Sequence, residues 1–272
     1  MPIYSSYDQD NNNTYQSYDL TDKRSKGLFL SKVFGMMFLC LLITTLVAAG
    51  LGYGLMYFFV NATPEVASNI MTGMIVAMIV SAIALLVMSF VLPISFMRGK
   101  RNILAPLMVY VVLMGVLLSM FTWAFEPIIL VESFGITALV FDLMALLGYL
   151  SKGRVVGLGM IMMALLIGAG LLSLINFVMI LVGGISEANV TISWVVSLAV
   201  FAFLMFMTMW DVARINQIAS RGMSSGNNLI YYCAYILYSD FIAILVRVIY
   251  YVAIFTRRKK KKKKSSYIEG VR

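Results

Sequence analysis

Seven apolar segments, each long enough to cross a bilayer, occupy the chain from residue 28 to residue 256. They run at 28–60, 69–97, 103–123, 128–150, 155–184, 190–220 and 228–256. About 20 consecutive apolar residues cross the hydrocarbon as a helix, and only helices or closed barrels satisfy the backbone there. The fold class is therefore an all-α integral membrane protein, a seven-transmembrane-helix bundle. The charged fraction agrees. It is 12%, where a soluble domain carries about twice that.

The breaks are short and polar: Asn61-Ala62-Thr63-Pro64, Arg98-Gly99-Lys100-Arg101, Glu126-Pro127, Ser151-Lys152-Gly153-Arg154, Ser186-Glu187-Ala188-Asn189 and Ser224-Ser225-Gly226. Residues 1–27 are rich in Tyr, Asn, Ser and Asp and read as a disordered polar tail, with no cleavable signal peptide at the start. Residues 28–256 form the membrane domain and residues 257–272 a polybasic tail.

Basic residues orient the bundle. Lys23, Arg24, Lys26 and Lys32 flank the first segment, and the second, fourth and sixth connections hold Arg98, Lys100, Arg101, Lys152, Arg154, Arg214 and Arg221. The first, third and fifth connections hold none. The amino terminus is expected in the cytoplasm. Trp123, Trp194, Tyr53 and Tyr57 then fall near the outer interface, as an aromatic belt does. The tail departs from the rule. Seven full spans place Arg257 to Lys264 outside, so either the last segment does not cross completely or the first six fix the orientation.

The net charge of +9 is not a nucleic-acid signal, since eight of the 21 basic residues crowd into Arg257 to Lys264. That run would bind anionic lipid on a cytoplasmic face, or stand solvated. The two cysteines, Cys40 and Cys233, both lie in apolar segments, which fits thiols better than a disulfide framework. There is no histidine. Carboxylates are left as the groups able to titrate near neutral pH. No cofactor and no catalytic residue is expected.

Asp211 and Asp240 are the carboxylates that matter most. A charge at mid-membrane costs roughly 2.5–3.5 kcal/mol by insertion scales and marks a candidate ion or proton site. Asp211 lies 14 residues before Ser225 and Asp240 lies 14 residues after Gly226. An antiparallel hairpin places both about 20 Å from its tip, at roughly 1.5 Å per residue. Two close carboxyls share one proton, because both ionise together only at a cost. Deprotonated, they offer oxygens to a hard cation such as Ca²⁺ in transit. Local pairing is the alternative: Arg214 is at i+3 from Asp211, and Arg247 at i+7 from Asp240.

Three further residues are candidates. Arg98 ends the second span and serves either as a latch that binds an aspartate bidentately or as a topology anchor. Glu132 and Asp142 share the fourth segment, displaced by roughly 80° around a helix. Both are candidate pore-lining groups, and a satisfied structural carboxyl is the alternative for Asp142. Gly50, Gly52, Gly54, Gly168 and Gly170 are expected to allow close helix packing. An intramembrane aspartyl protease also sets aspartates on adjacent helices. It carries Gly-x-Gly-Asp on the second, where this chain has Leu237-Tyr238-Ser239-Asp240. An enzyme is not expected.

Four stretches resemble the Bax inhibitor-1 family, also called the transmembrane Bax inhibitor motif family, in a bacterial-type member: Phe96-Met97-Arg98, Val131-Glu132-Ser133-Phe134-Gly135, Trp210-Asp211-Val212-Ala213-Arg214-Ile215 and Tyr238-Ser239-Asp240-Phe241-Ile242. Ser239 departs from the usual Leu, and the sixth connection is longer than usual. The resemblance implies a last helix enclosed by the others, in a bacterial plasma membrane. It implies a pH-sensitive calcium or cation leak, gated by a proton-sharing pair at Asp211 and Asp240 and latched by Arg98. The rival it brings is a non-conducting interaction protein that regulates a membrane protease or a stress response. The expected partners are the permeant cation, the lipid bilayer and a membrane protein.

Overall fold

The computed structural model describes residues 23–98, 102–151, 154–158, scattered positions between 161 and 178, 187–220 and 227–269. Among them there is no strand. Six helices carry the fold: α1 (Lys23–Val60), α2 (Pro64–Met97), α3 (Leu104–Ala124), α4 (Pro127–Leu150), α5 (Glu187–Ser220) and α6 (Asn227–Glu269). A short 3₁₀ turn covers Arg154–Leu158. All six helices are long and apolar enough to span a membrane. They correspond to six of the seven segments expected from sequence. The fifth, 155–184, falls largely outside the described residues.

Proline sets two helix starts. Pro64 and Pro127 lie in the first turns of α2 and α4, where a missing N–H costs nothing. The connections before them are three residues (61–63) and two residues (125–126), so α1 and α2, and α3 and α4, are joined by tight turns. At the chain ends the helices outrun the apolar segments. α1 begins at Lys23, within the expected polar tail, and α6 continues to Glu269, so the polybasic run is a helical extension of the last span. Lys and Arg are good helix formers and carry the helix past the lipid-matched length.

The last helix is central. Within its best apolar window 56% of residues are buried, against 17–33% in the other spans. α6 touches each of the other five helices. Its buried residues occur on every side, as in Cys233, Ala234, Tyr235, Leu237 and Tyr238. The outer helices instead turn large apolar side chains outward, as Val80, Ile83, Val87 and Phe90 of α2 do. In lipid such exposure carries no penalty, because the tails are as apolar as the side chains.

Three glycines allow close approach. A Cβ at Gly52 of α1 would strike the Thr122 hydroxyl of α3, and one at Gly115 of α3 would strike Val47 of α1. A Cβ at Gly148 of α4 would collide with the Met209 carbonyl oxygen of α5. Of the five glycines expected to pack helices, only Gly52 does so among the described residues. Gly50, Gly54, Gly168 and Gly170 face open space within 4 Å.

Candidate functional site

Asp211 on α5 and Asp240 on α6 are brought together in the middle of the bundle, and their carboxyls share a hydrogen bond. Two carboxylates contain no donor, so this bond requires a proton on one of them. Asp211 is 4% exposed. Asp240 is partly buried, yet its Oδ2 is sealed from solvent and meets no hydrogen-bond donor among the described residues. The pair therefore stands in a largely buried seam between the central helix and α5. There an unpaired negative charge is costly.

Arg214 is the cation that bears on the pair. It lies at i+3 from Asp211 and acts on it electrostatically. It is exposed, and its guanidinium rests over the Trp210 ring, 5.4 Å from the centroid. A cation over an indole face is held there by the ring quadrupole. Arg98 belongs to α2, as its exposed C-cap. Two residues earlier, Phe96 stacks on Tyr232 of α6, centroids 4.2 Å apart and planes within 5°. Tyr232 precedes Asp240 by eight residues, about 12 Å along a helix. The stack docks the end of α2 against α6, and Tyr232 itself lies within electrostatic reach of Asp211 and Arg214.

Glu132 and Asp142 are also apart from it. The buried face of α4 is Ile129, Ser133, Thr137, Phe141, Ala145 and Gly148. Glu132 and Asp142 flank that face and are exposed. Neither is among the groups that act on the aspartate pair. The sequence spacing places them off one common face but does not say which face of α4 points inward.

A layer of hydroxyls, not anticipated from sequence, holds α6 from its other side. Thr44 of α1 donates to the Cys40 carbonyl at 2.9 Å, which leaves its oxygen to accept from Tyr238 at 2.6 Å. Tyr110 of α3 hydrogen-bonds both Ser239 and Tyr235. Tyr238 and Ser239 lie roughly 200° and 100° around the helix from Asp240. The residues just before Asp240 are therefore tied to α1 and α3, while Asp240 itself faces α5. The available signal was a Tyr-Ser pair ahead of the Asp and two threonines inside the first apolar run.

An apolar cavity of about 390 Å³ lies between α1, α3, α4 and α6, against Thr44, Leu118, Phe134, Ile242 and Leu245. The aspartates do not line it. Among the described residues no three His, Cys, Asp or Glu side chains converge as a metal site. The pair offers at most four oxygens, where resident Ca²⁺ takes six to eight.

A helical membrane bundle with two adjoining carboxyls against its central last helix defines the class of protein. Over residues 27–257 the chain matches the family model described as "Inhibitor of apoptosis-promoting Bax1", and it belongs to that family. No curated protein matches it.

Proposed function

We propose that the protein is a pH-sensitive leak for calcium or a similar cation, gated by the Asp211–Asp240 pair. The supporting observation is the hydrogen bond between the two carboxyls, which needs a proton, at the seam of two membrane-spanning helices. With the proton present the seam is closed. With it lost, two negative charges repel. At 4 Å and an effective dielectric of 20 the repulsion is on the order of 4 kcal/mol. That is roughly a thousandfold in a two-state balance, at 1.4 kcal/mol per tenfold.

The hydroxyl layer decides which helix responds. Thr44 and Tyr110 hold α6 to α1 and α3, so separation moves α5 away from it. The freed carboxylates then present oxygens to a hard cation. The amino terminus is assigned to the cytoplasm by the basic flanks, and the Asp211 end of α5 then faces the cytoplasmic half.

Flux of Ca²⁺ into dye-loaded liposomes containing the purified protein, across a pH series, tests this reading. Flux should rise as pH rises, and Asp211→Asn should flatten the profile. A preparation of folded protein with no flux at any pH overturns it and leaves a non-conducting interaction protein.

A further inference from the structure

A second polar island lies in the same α5/α6 seam, on the far side of Asp240 from the hairpin connection. Arg247 of α6 donates through Nη1 to the Ser197 hydroxyl of α5 at 3.3 Å. Ser197 is buried and also hydrogen-bonds the Tyr251 hydroxyl at 2.9 Å. Trp194 stacks on Tyr251 with centroids 5.8 Å apart, and Phe201 meets that ring edge-on at 5.5 Å. Among the described residues no carboxylate pairs with Arg247. One long bond to a neutral hydroxyl uses one of five guanidinium donors.

An arginine in a membrane span with no counter-charge among the described residues calls for an anion. Arg247 lies nine residues before Thr256, the end of the apolar span, or about 14 Å of helix. A basic side chain near a helix end can extend several ångströms toward the interface. Trp194, one turn from Ser197, belongs to the aromatic belt that marks that interface. Tyr250 and Phe255 beside it are exposed on the bundle's outer surface. Beyond Thr256 the same helix carries eight consecutive cations, Arg257 to Lys264. The whole end of α6 is thus positive, with an apolar flank.

We propose that Arg247, with Tyr251 as a second donor, binds the phosphodiester of an anionic phospholipid whose acyl chain runs along Tyr250 and Phe255. A guanidinium fork matches phosphate oxygens two at a time. No acidic side chain among the described residues stands ready for the ammonium of a zwitterionic headgroup, which favours lipids of net negative charge. The site is independent of whether the aspartate pair conducts.

The test uses Trp194 as the reporter, in full-length protein carrying Trp123→Phe and Trp210→Phe. The protein is reconstituted into phosphatidylcholine vesicles with increasing brominated phosphatidylglycerol, or brominated phosphatidylcholine as the reference. The glycerol lipid should quench Trp194 at about fivefold lower mole fraction, the worth of one basic residue at an anionic surface. Arg247→Gln should erase that preference, and Arg247→Lys should retain part of it, with unchanged gel-filtration profiles. Equal quenching by both lipids overturns the proposal. So does a preference that survives Arg247→Gln but is lost when Lys259 to Lys264 are changed to Gln, which assigns it to the tail. Relief of quenching by millimolar inorganic phosphate overturns the lipid source in favour of a soluble anion.

Discussion

The Tyr238 hydroxyl reaches the Thr44 hydroxyl at 2.6 Å and joins the last helix to the first, two residues before Asp240. The bond spans 194 positions of sequence and lies where both side chains are almost fully buried. Thr44→Val keeps the shape and leaves the Tyr238 hydroxyl without that partner. Side-chain hydrogen bonds within membrane bundles average about 0.6 kcal/mol and reach about 1.7 kcal/mol. Thermal unfolding in detergent should show a loss in that range. Tyr238→Phe in the Thr44→Val background should cost little more, since the orphaned hydroxyl is gone. A double variant as damaged as the sum of two independent losses contradicts the pairing.

If Asp211 and Asp240 share a proton as proposed, the seam should have a pH dependence of definite sign. Its hydrogen bond needs a bound proton, so the contribution is present at low pH and is lost as pH rises through the proton's release. Wild-type unfolding temperature should fall on that side while Ca²⁺ flux rises. Asp211→Asn and Asp240→Asn each keep a donor and remove one titration. Both should flatten both profiles. Wild-type pH curves for both variants would make the pair purely structural.

Arg214 and Arg98 should separate in the same assay. Arg214 acts on Asp211, and a nearby cation favours proton loss. Arg214→Gln should therefore shift half-maximal flux to higher pH. The shift should be on the order of 0.5 pH unit, as suits an exposed interaction worth up to about 1 kcal/mol. Arg98 is exposed at the end of α2, beyond the Phe96–Tyr232 stack. Arg98→Ala should leave the midpoint in place. A raised basal leak at low pH in Arg98→Ala, with protein amount unchanged, would restore Arg98 as the latch.

What the sequence made legible follows from what lipid imposes. Long apolar runs mark spans because nothing else satisfies the backbone there. Asp211 and Asp240 could be matched because counting from the Ser-Ser-Gly break needs only the helical rise. Helix faces were not legible. In a soluble helix an apolar stripe reveals the inside, but α2 and α4 are apolar all round, so nothing separates Asp142 from Phe141 beside it. Exposed Glu132 and buried Ser133 were equally hidden. Long-range hydroxyl partners such as Thr44 and Tyr238 depend on which faces meet. So does the choice of Gly148 over Gly50 as a packing position.

Gly148 offers a test of how closely the pair depends on the backbone around it. A Cβ there would collide with the Met209 carbonyl oxygen, two residues before Asp211, and would also crowd Val212 at 3.0 Å. The obstacle is mainly backbone, which cannot rotate aside as a side chain does. α5 must shift as a unit away from α4, and the Asp211 carboxyl moves with it. Overpacking of this kind costs typically 1–3 kcal/mol. Gly148→Ala should lower the unfolding temperature and alter the pH profile of flux together. Gly54→Ala is the control, since a Cβ there meets nothing within 4 Å and Ala is the better helix former. It should be neutral or slightly stabilising, with the flux profile unchanged. Equal behaviour of the two variants would contradict the α4–α5 contact at Gly148 and, with it, the position of Asp211 in the seam.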